Sequence, residues 1–284
     1  MRLTFLGTSA SEGYPNAFCA CANCERARTQ GGPSLRKRSA ALVNCDLLID
    51  LGPDLMAAAQ MHNISLAKIS YCLQTHEHED HLDASHLLSR SVYCGVHGAP
   101  HLHIAASQGA FNRIADRLGK RVRAAGLFDA EVSEQLNITP YVVAPFERFD
   151  LGPYSITGVA AQHASELTAL LYVIEGGGRT LFYATDTGEL PEPTWAALRE
   201  HRFRFNVVVM DHTFGLAGRS TGHMNSAQFV EQMARLRSEN LLTDDARIYA
   251  THIAHHSNPP HPELAELAAR AGYGVAYDGM SINV

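Results

Sequence analysis

His76-Glu77-His78-Glu79-Asp80-His81 decides how this chain is read. Three imidazoles interleaved with carboxylates follow the apolar run 69–73, so a strand end delivers His76, His78, Asp80 and His81 from one tight loop. Neutral imidazole and carboxylate oxygen are the ligands that zinc and manganese accept. His76 and His78 alternate toward one side and Asp80 toward another, while His81 reaches a second position as the chain turns into a helix over 83–90. That arrangement suits two adjacent ions better than one. A tag or metal-scavenging tract repeats a single residue, whereas this segment mixes acid and histidine beside a strand.

The chain has 284 residues, of which 46% are hydrophobic, enough for a substantial core and ordinary for a globular protein. A net charge of -6 leaves no broad electrostatic footprint for nucleic acid, and Arg36-Lys37-Arg38 reads as a solvated loop. The apolar stretch at the N-terminus is too short for a signal peptide, and no run of about 18 apolar residues could span a bilayer. A soluble cytoplasmic protein without membrane contact is expected.

Six cysteines divide into a cluster, Cys19-Ala20-Cys21-Ala22-Asn23-Cys24, and three isolated residues, Cys45, Cys72 and Cys94. In a reducing compartment the cluster reads as a metal site, since a disulfide would leave one thiol unpaired. The isolated three read as buried small hydrophobes.

Short β-type runs are expected over 3–6, 40–43, 47–49, 69–73, 141–143, 154–159, 170–174 and 180–183. Gly152-Pro153 and Gly176-Gly177-Gly178 predict hairpins between them. Helical patterns fall at 54–61, 99–118, 192–200, 226–237 and 262–271, alternating late in the chain with strands at 207–210, 247–250 and 275–277. Residues 119–134, of mixed charge and poor periodicity, read as a surface excursion. With no internal repeat and no Pro/Gly/Ser-rich linker, one α/β domain over 1–284 is expected, a layered sandwich with helices on its outer faces.

Two ions need more ligands than one loop supplies, and later strand ends carry them. His163 follows the strand ending near 159, Asp186 follows Leu181-Phe182-Tyr183-Ala184-Thr185, and His252 closes Arg247-Ile248-Tyr249-Ala250-Thr251. Binding residues gather at such positions in sheet scaffolds. In this order the chain resembles the metallo-β-lactamase fold superfamily, whose pattern His-x-His-x-Asp-His, then His, Asp and His, is matched by His76, His78, Asp80, His81, His163, Asp186 and His252. The resemblance implies an αββα four-layer sandwich with His76, His78 and His163 on one divalent ion, Asp80, His81 and His252 on the other, and Asp186 bridging. Histidine at position 78, where the oxygen-reducing di-iron branch carries glutamate, favours hydrolysis with zinc or manganese over redox chemistry.

Cys19, Cys21 and Cys24 supply three thiolates, and a tetrahedral structural zinc needs a fourth ligand. His255 meets that need and the adjacent His256 ranks second. This combination resembles the PhnP-type phosphodiesterases of the carbon-phosphorus lyase pathway, in which a Cys-x-Cys-x-x-Cys loop and a histidine three residues after the last catalytic ligand hold a structural zinc. Met210-Asp211-His212-Thr213 and Gly222-His223-Met224 further resemble paired segments of ribonuclease Z and its relatives, where an acid orients a histidine beside the scissile phosphate. Asp211 would hold His223 as a catalytic proton donor, with His212 the alternative, and Asp80 would be indispensable to turnover.

The resemblance therefore implies a dinuclear metal-dependent phosphodiesterase with one further structural zinc. Its substrate would be a small cyclic phosphate, 5-phosphoribosyl 1,2-cyclic phosphate or a cyclic nucleotide; long RNA is disfavoured, and a homodimer is compatible with the reading. Two alternatives stand beside it. A thioester or lactam metallohydrolase could use the same seven ligands without needing Asp211 and His223. A non-catalytic binding protein of the pyrroloquinoline quinone biosynthesis type shares the cysteine loop but departs from the His-x-His-x-Asp-His pattern.

Overall fold

The structure is a computed structural model and describes residues 1–284, the side chains of Arg121 and Arg123 excepted. The first six strands, β1 (Arg2–Gly7), β2 (Ala40–Val43), β3 (Leu47–Ile49), β4 (Tyr71–Leu73), β5 (Leu102–Ala106) and β6 (Ile138–Val142), build one sheet. The next seven, β7 (Arg148–Leu151), β8 (Tyr154–Ala160), β9 (Leu170–Gly176), β10 (Arg179–Ala184), β11 (Phe205–Asp211), β12 (Leu242–Thr251) and β13 (Gly274–Val275), build a second in reverse spatial order. The chain then returns, and β14 (Ser281–Asn283) pairs antiparallel with β1 to complete the first sheet.

Period-2 alternation sorts the strand side chains into layers. Leu181 and Tyr183 of β10 and Val207 and Val209 of β11 face the space between the sheets, with Leu3, Phe5, Ile49 and Leu73 from the first sheet. Their neighbours Phe182, Ala184, Val208 and Met210 face outward and are covered by α7 (Glu192–Glu200), α8 (Ser226–Ser238) and α9 (His261–Arg270). Phe205 also faces outward, although strict alternation from Val207 would turn it inward; a register shift between the two accounts for it. The outer face of the first sheet is covered by α2 (Leu55–Met61), α3 (Ser85–Ser89), α4 (Gln108–Arg117) and α6 (Ala130–Leu136), which bury Leu55, Leu87, Phe111, Ile114 and Leu136. The layers are therefore αββα, as expected.

Several details depart from the sequence reading. The expected helix 99–118 is strand β5 followed by α4. Parallel pairing on both sides buries Leu102, Ile104 and Ala106 on one face and Ala105 on the other, leaving an apolar run whose periodicity cannot separate strand from helix. The excursion 119–134 carries α5 (Lys120–Ala125) and the start of α6, which buries Val132 and Leu136. Helix α1 (Ala22–Gln30), strand β7 and strand β14 were not anticipated. Both expected hairpins form; Gly177 and Gly178 turn β9 into β10 with φ of 57° and 72°, the geometry that matches strand twist. Of the isolated cysteines only Cys72 is buried, because Cys45 lies in the β2–β3 turn and Cys94 in a short exposed turn after α3.

Topology places the site. Strands β3 and β4 run parallel, as do β10, β11 and β12, and β8 shares the direction of β10 through the antiparallel β9. Their C-terminal ends therefore open on one rim of the sandwich, where Asp211 ends β11 and Asp50, His76, His163, Asp186 and His252 follow their strands. Three of these, Asp50, Asp186 and His252, hold left-handed backbone with φ of 66°, 57° and 58°. Such strain in non-glycine residues persists only where the surroundings enforce it, and three of the nine positive-φ non-glycine residues among the described residues gather at this rim.

Candidate metal centre and its proton donor

Two sets of donor atoms meet at that rim. In the first, His76 Nε2 and His163 Nε2 each lie 3.1 Å from His78 Nδ1. In the second, His81 Nε2 lies 3.3 Å from His252 Nε2, and Asp80 Oδ2 lies 3.4 Å from the former and 3.5 Å from the latter. Asp186 Oδ2 belongs to both, at 3.1 Å from His76 Nε2, 3.1 Å from His81 Nε2, 3.6 Å from His163 Nε2 and 3.8 Å from His252 Nε2. All seven residues singled out in the sequence converge in two four-membered groups sharing Asp186.

The donor chemistry fits divalent cations. Ring nitrogens and carboxylate oxygens converge within 4.8 Å of one another in each group, and a tetrahedron of 2.0–2.1 Å bonds has edges of about 3.3–3.4 Å. Asp186 supplies a further sign: its Oδ1 is buried and lacks a hydrogen-bond partner, although His223 Nδ1 lies 3.1 Å away. A buried carboxylate oxygen with no partner is costly unless a cation is meant to meet it.

The second nitrogens of the histidines are also held, which fixes ring orientation. His81 Nδ1 donates to Asp50 Oδ2 at 2.7 Å, and Asp50 Oδ1 accepts from Thr75 N at 2.8 Å and Gln74 Nε2 at 3.0 Å. Gln74 Nε2 also points at the carbonyls of His76 and His81, at 2.9 and 3.0 Å, closing the ligand loop on itself. His76 Nδ1 meets Thr75 Oγ1 at 3.0 Å, His163 Nδ1 meets Gly222 O at 3.2 Å, and His252 Nδ1 meets Thr213 Oγ1 at 2.8 Å. Asp50, Gln74, Thr75 and Thr213 were missed in the sequence, yet Asp50 satisfies the criterion that found Asp186: an acid directly after an apolar strand, Leu47-Leu48-Ile49-Asp50. Asp50→Ala is expected to weaken metal affinity about 10- to 100-fold with the sandwich intact, measured by competition with a chromophoric chelator.

The structure pairs Asp211 with His223 as expected. His223 Nδ1 donates to Asp211 Oδ2 at 3.1 Å, leaving Nε2 as the second nitrogen of a half-buried ring. Asp211 is fully buried and also accepts from Thr213 N, Thr213 Oγ1 and Met224 N at 3.0, 2.8 and 2.9 Å. Burial alone would raise its pKa, but hydrogen bonds from His223 and His252 outweigh burial and hold the carboxyl well below its usual range. For His223 burial opposes the charged form, and Asp211 with Asp186 overcomes it, raising the pKa. His212 is not an alternative donor: buried, it contacts Asn258 Oδ1 through Nδ1 and Tyr273 OH through Nε2, each at 3.0 Å, and burial lowers its pKa to about 4.

A separate cluster joins Cys19, Cys21, Cys24 and His255, with Cys21 Sγ 3.7 Å from His255 Nδ1. Zinc bonds of about 2.3 Å to sulfur and 2.0–2.1 Å to nitrogen give a tetrahedral sulfur–nitrogen edge of about 3.6 Å, close to that separation. His256 stands outside the group; its side chain is 49% exposed against 13% for His255, and it turns toward Phe214. Burial pushes the Cys24 thiol up to about 12; at Cys21 burial also raises it, but hydrogen bonds from Cys24 N, His255 and Cys19 outweigh burial and bring it to about 6. Asn23 Nδ2 donates to His255 O and Asn258 O, at 2.9 and 3.0 Å, tying the start of α1 to the loop that carries His252.

Comparison with known proteins agrees with this picture. Residues 46–253 match the β-lactamase superfamily domain, so the chain belongs to that superfamily of metal-dependent hydrolases. Among solved structures, a diphosphatase of the PhnP family superposes with a TM-score of 0.73 at 22% identity, covering 99% of this chain and 97% of its own. Zinc-bound PqqB from Methylobacterium extorquens gives 0.74 at 20% identity over the full length of both chains. The short form of human tRNase Z gives 0.64 at 15% identity, over 100% of this chain and 99% of its own. These likenesses establish the metallo-β-lactamase sandwich. No curated protein matches the sequence. Among the described residues no helix is long and apolar enough to cross a membrane.

Proposed function

We propose that the protein is a dinuclear metal-dependent phosphodiesterase acting on a small cyclic phosphate. The observation that carries this is Asp186 between two histidine-containing sets, with a further histidine, His223, held beside them by a buried aspartate. In this reading His76, His78, His163 and Asp186 hold one cation, and Asp80, His81, His252 and Asp186 the other. Cys19, Cys21, Cys24 and His255 hold a structural zinc. Two divalent cations held there, zinc or manganese, would supply a nucleophile at neutral pH and neutralise phosphoryl charge.

The chain's own residues do the rest. Asp211 fixes the His223 tautomer by accepting from Nδ1, which leaves Nε2 to carry the transferable proton. Burial opposes the charged form of His223, but Asp211 and Asp186 shift it toward the protonated form, the one that can hand a proton to the departing oxygen. Thr213 Oγ1 donates to Asp211 Oδ2 and sits 2.8 Å from His252 Nδ1, so one hydroxyl aligns the proton donor with a metal ligand. An acyl hydrolase could use the metal ligands, but the Asp211–His223 pair answers to a poor oxygen leaving group.

His223→Ala is expected to slow hydrolysis of alkyl phosphodiesters about 10²- to 10⁴-fold and of a p-nitrophenyl diester far less, because a good leaving group departs without protonation. Equal slowing of both would remove His223 from that role. Metal analysis coupled to a panel of cyclic phosphates, thioesters and lactams tests the reading as a whole. Turnover of acyl substrates with none of phosphodiesters would overturn it.

A further inference from the structure

Glu12 lies beside the cysteine cluster with one oxygen unanswered. Its Oε2 accepts from Ser11 Oγ at 3.4 Å, whereas Oε1 is buried and has no hydrogen-bond partner among the described residues. That oxygen faces two imidazoles, His255 Nε2 at 3.8 Å and His256 Nε2 at 3.9 Å. The backbone positions the residue. Gly13 N donates to Ala10 O at 3.1 Å and Gly13 holds φ of 72°, so residues 10–13 make a tight turn that any other side chain at 13 would strain. One flank of the turn is tied to the loop after β12 by Ala10 N to Ile253 O and Ile253 N to Thr8 O, at 3.3 and 2.9 Å. The other flank is tied by Tyr14 N to Arg36 O at 3.0 Å.

We propose that Glu12 is a positioning residue of the cysteine cluster, accepting the Nε2 proton of His255 and so fixing which ring nitrogen meets the metal. The proposal rests on the structural-zinc reading above. His255 Nδ1 is the nitrogen that faces the thiols, 3.7 Å from Cys21 Sγ. A neutral imidazole that binds a cation through Nδ1 carries its proton on Nε2, and ligand histidines place that N–H on an acceptor. Among the described residues no hydrogen bond reaches His255 Nε2, and Glu12 Oε1 is the carboxylate oxygen beside it. Each group supplies what the other lacks: a buried oxygen without a donor, and an N–H without an acceptor. The gap of 3.8 Å is slightly longer than a hydrogen bond and closes by a small rotation of the carboxylate or the ring. His256 is the weaker claimant. Its side chain is exposed, so water serves its Nε2, whereas His255 is largely covered and the Tyr14 ring stands edge-on to it at 6.3 Å. A carboxylate acceptor also raises the basicity of the ligand imidazole, which tightens its hold on the metal.

Cobalt reads this site selectively, because thiolate-to-cobalt absorption comes from the cysteine cluster and not from a centre of imidazoles and carboxylates. In the whole chain titrated with cobalt against a competing chelator, Glu12→Ala is expected to weaken binding at the thiolates about 10- to 100-fold. Glu12→Gln keeps an acceptor oxygen and should recover part of that loss, and His256→Ala should bind as the native chain does. The metal-free native and E12A proteins should melt at the same temperature and the zinc-loaded ones apart, because Glu12 acts through the ion and not through the turn. Equal cobalt affinity in native and E12A proteins, an equal loss in H256A, or a metal-free Tm lowered as far as the loaded one would overturn the role of Glu12 and leave the structural ion in place. A native chain without cobalt–thiolate absorption overturns both.

Discussion

Asp186→Ala is expected to lower phosphodiester turnover by about 10³-fold or more and to reduce active-centre metal from two ions toward one. Its Oδ2 is the sole donor atom common to both groups, 3.1 Å from His76 Nε2 and 3.1 Å from His81 Nε2. On the proposed two-cation reading each set would keep three ligands without it, and the geometry holding the cations together would be lost, a matter of several kcal/mol in the transition state. Alanine also strains the left-handed backbone at this position, φ 57°, by about 1–2 kcal/mol. Asp186→Asn is therefore the sharper variant: asparagine tolerates that backbone, preserves shape and removes only the charge. Metal content by plasma emission, with kcat and circular dichroism, reads the result. Turnover within tenfold of the native protein, or two ions retained at full affinity, would contradict the bridging role.

The second large effect is on stability. Cys21→Ser is expected to release one zinc per chain and to lower Tm by about 6–12 °C, as a loss of about 3 kcal/mol does at about 2–4 °C per kcal/mol. That loss is modest beside the ~10–16 kcal/mol with which zinc holds small finger domains. What the cluster secures is specific: α1 begins within it, and His255 sits three residues from His252. Tyr14 OH donates to Asn258 O at 2.9 Å, and Asn258 Nδ2 donates to Thr213 O at 3.0 Å, so slackness at the thiolates reaches the proton-donor side of the centre. Amide exchange in 13–24 and 251–258 should rise together. The exposed Cys45 is the control, and Cys45→Ser should change neither Tm nor zinc. An unaltered Tm and zinc content in Cys21→Ser would remove the structural ion from the account.

The residues of this centre were legible because metal chemistry restricts them to a few side-chain types and the sheet restricts them to strand ends. His76, His163, Asp186 and His252 each follow a strand end, and no ordinary loop needs that repetition. What supports them was harder to see. Gln74, Thr75 and Thr213 work through short hydrogen bonds to ring nitrogens or ligand-loop carbonyls, and Gln and Thr serve so many purposes that position alone does not single them out. Asp50 could have been found, since the strand before it was identified to the residue. In the fold the failures share a cause. β5 is buried on both faces and loses its alternation, whereas α1, Ala22–Gln30, is so polar that it lacks an apolar stripe. Its order comes from the cysteine cluster and Asn23 rather than from its own pattern.

Anomalous diffraction from crystals grown with zinc or manganese tests the central claim most directly. The expected map has two peaks about 3.5–4 Å apart flanking Asp186 Oδ2, one among His76, His78 and His163 and the other among Asp80, His81 and His252. A single peak in that region, or two peaks that do not share Asp186, would contradict it.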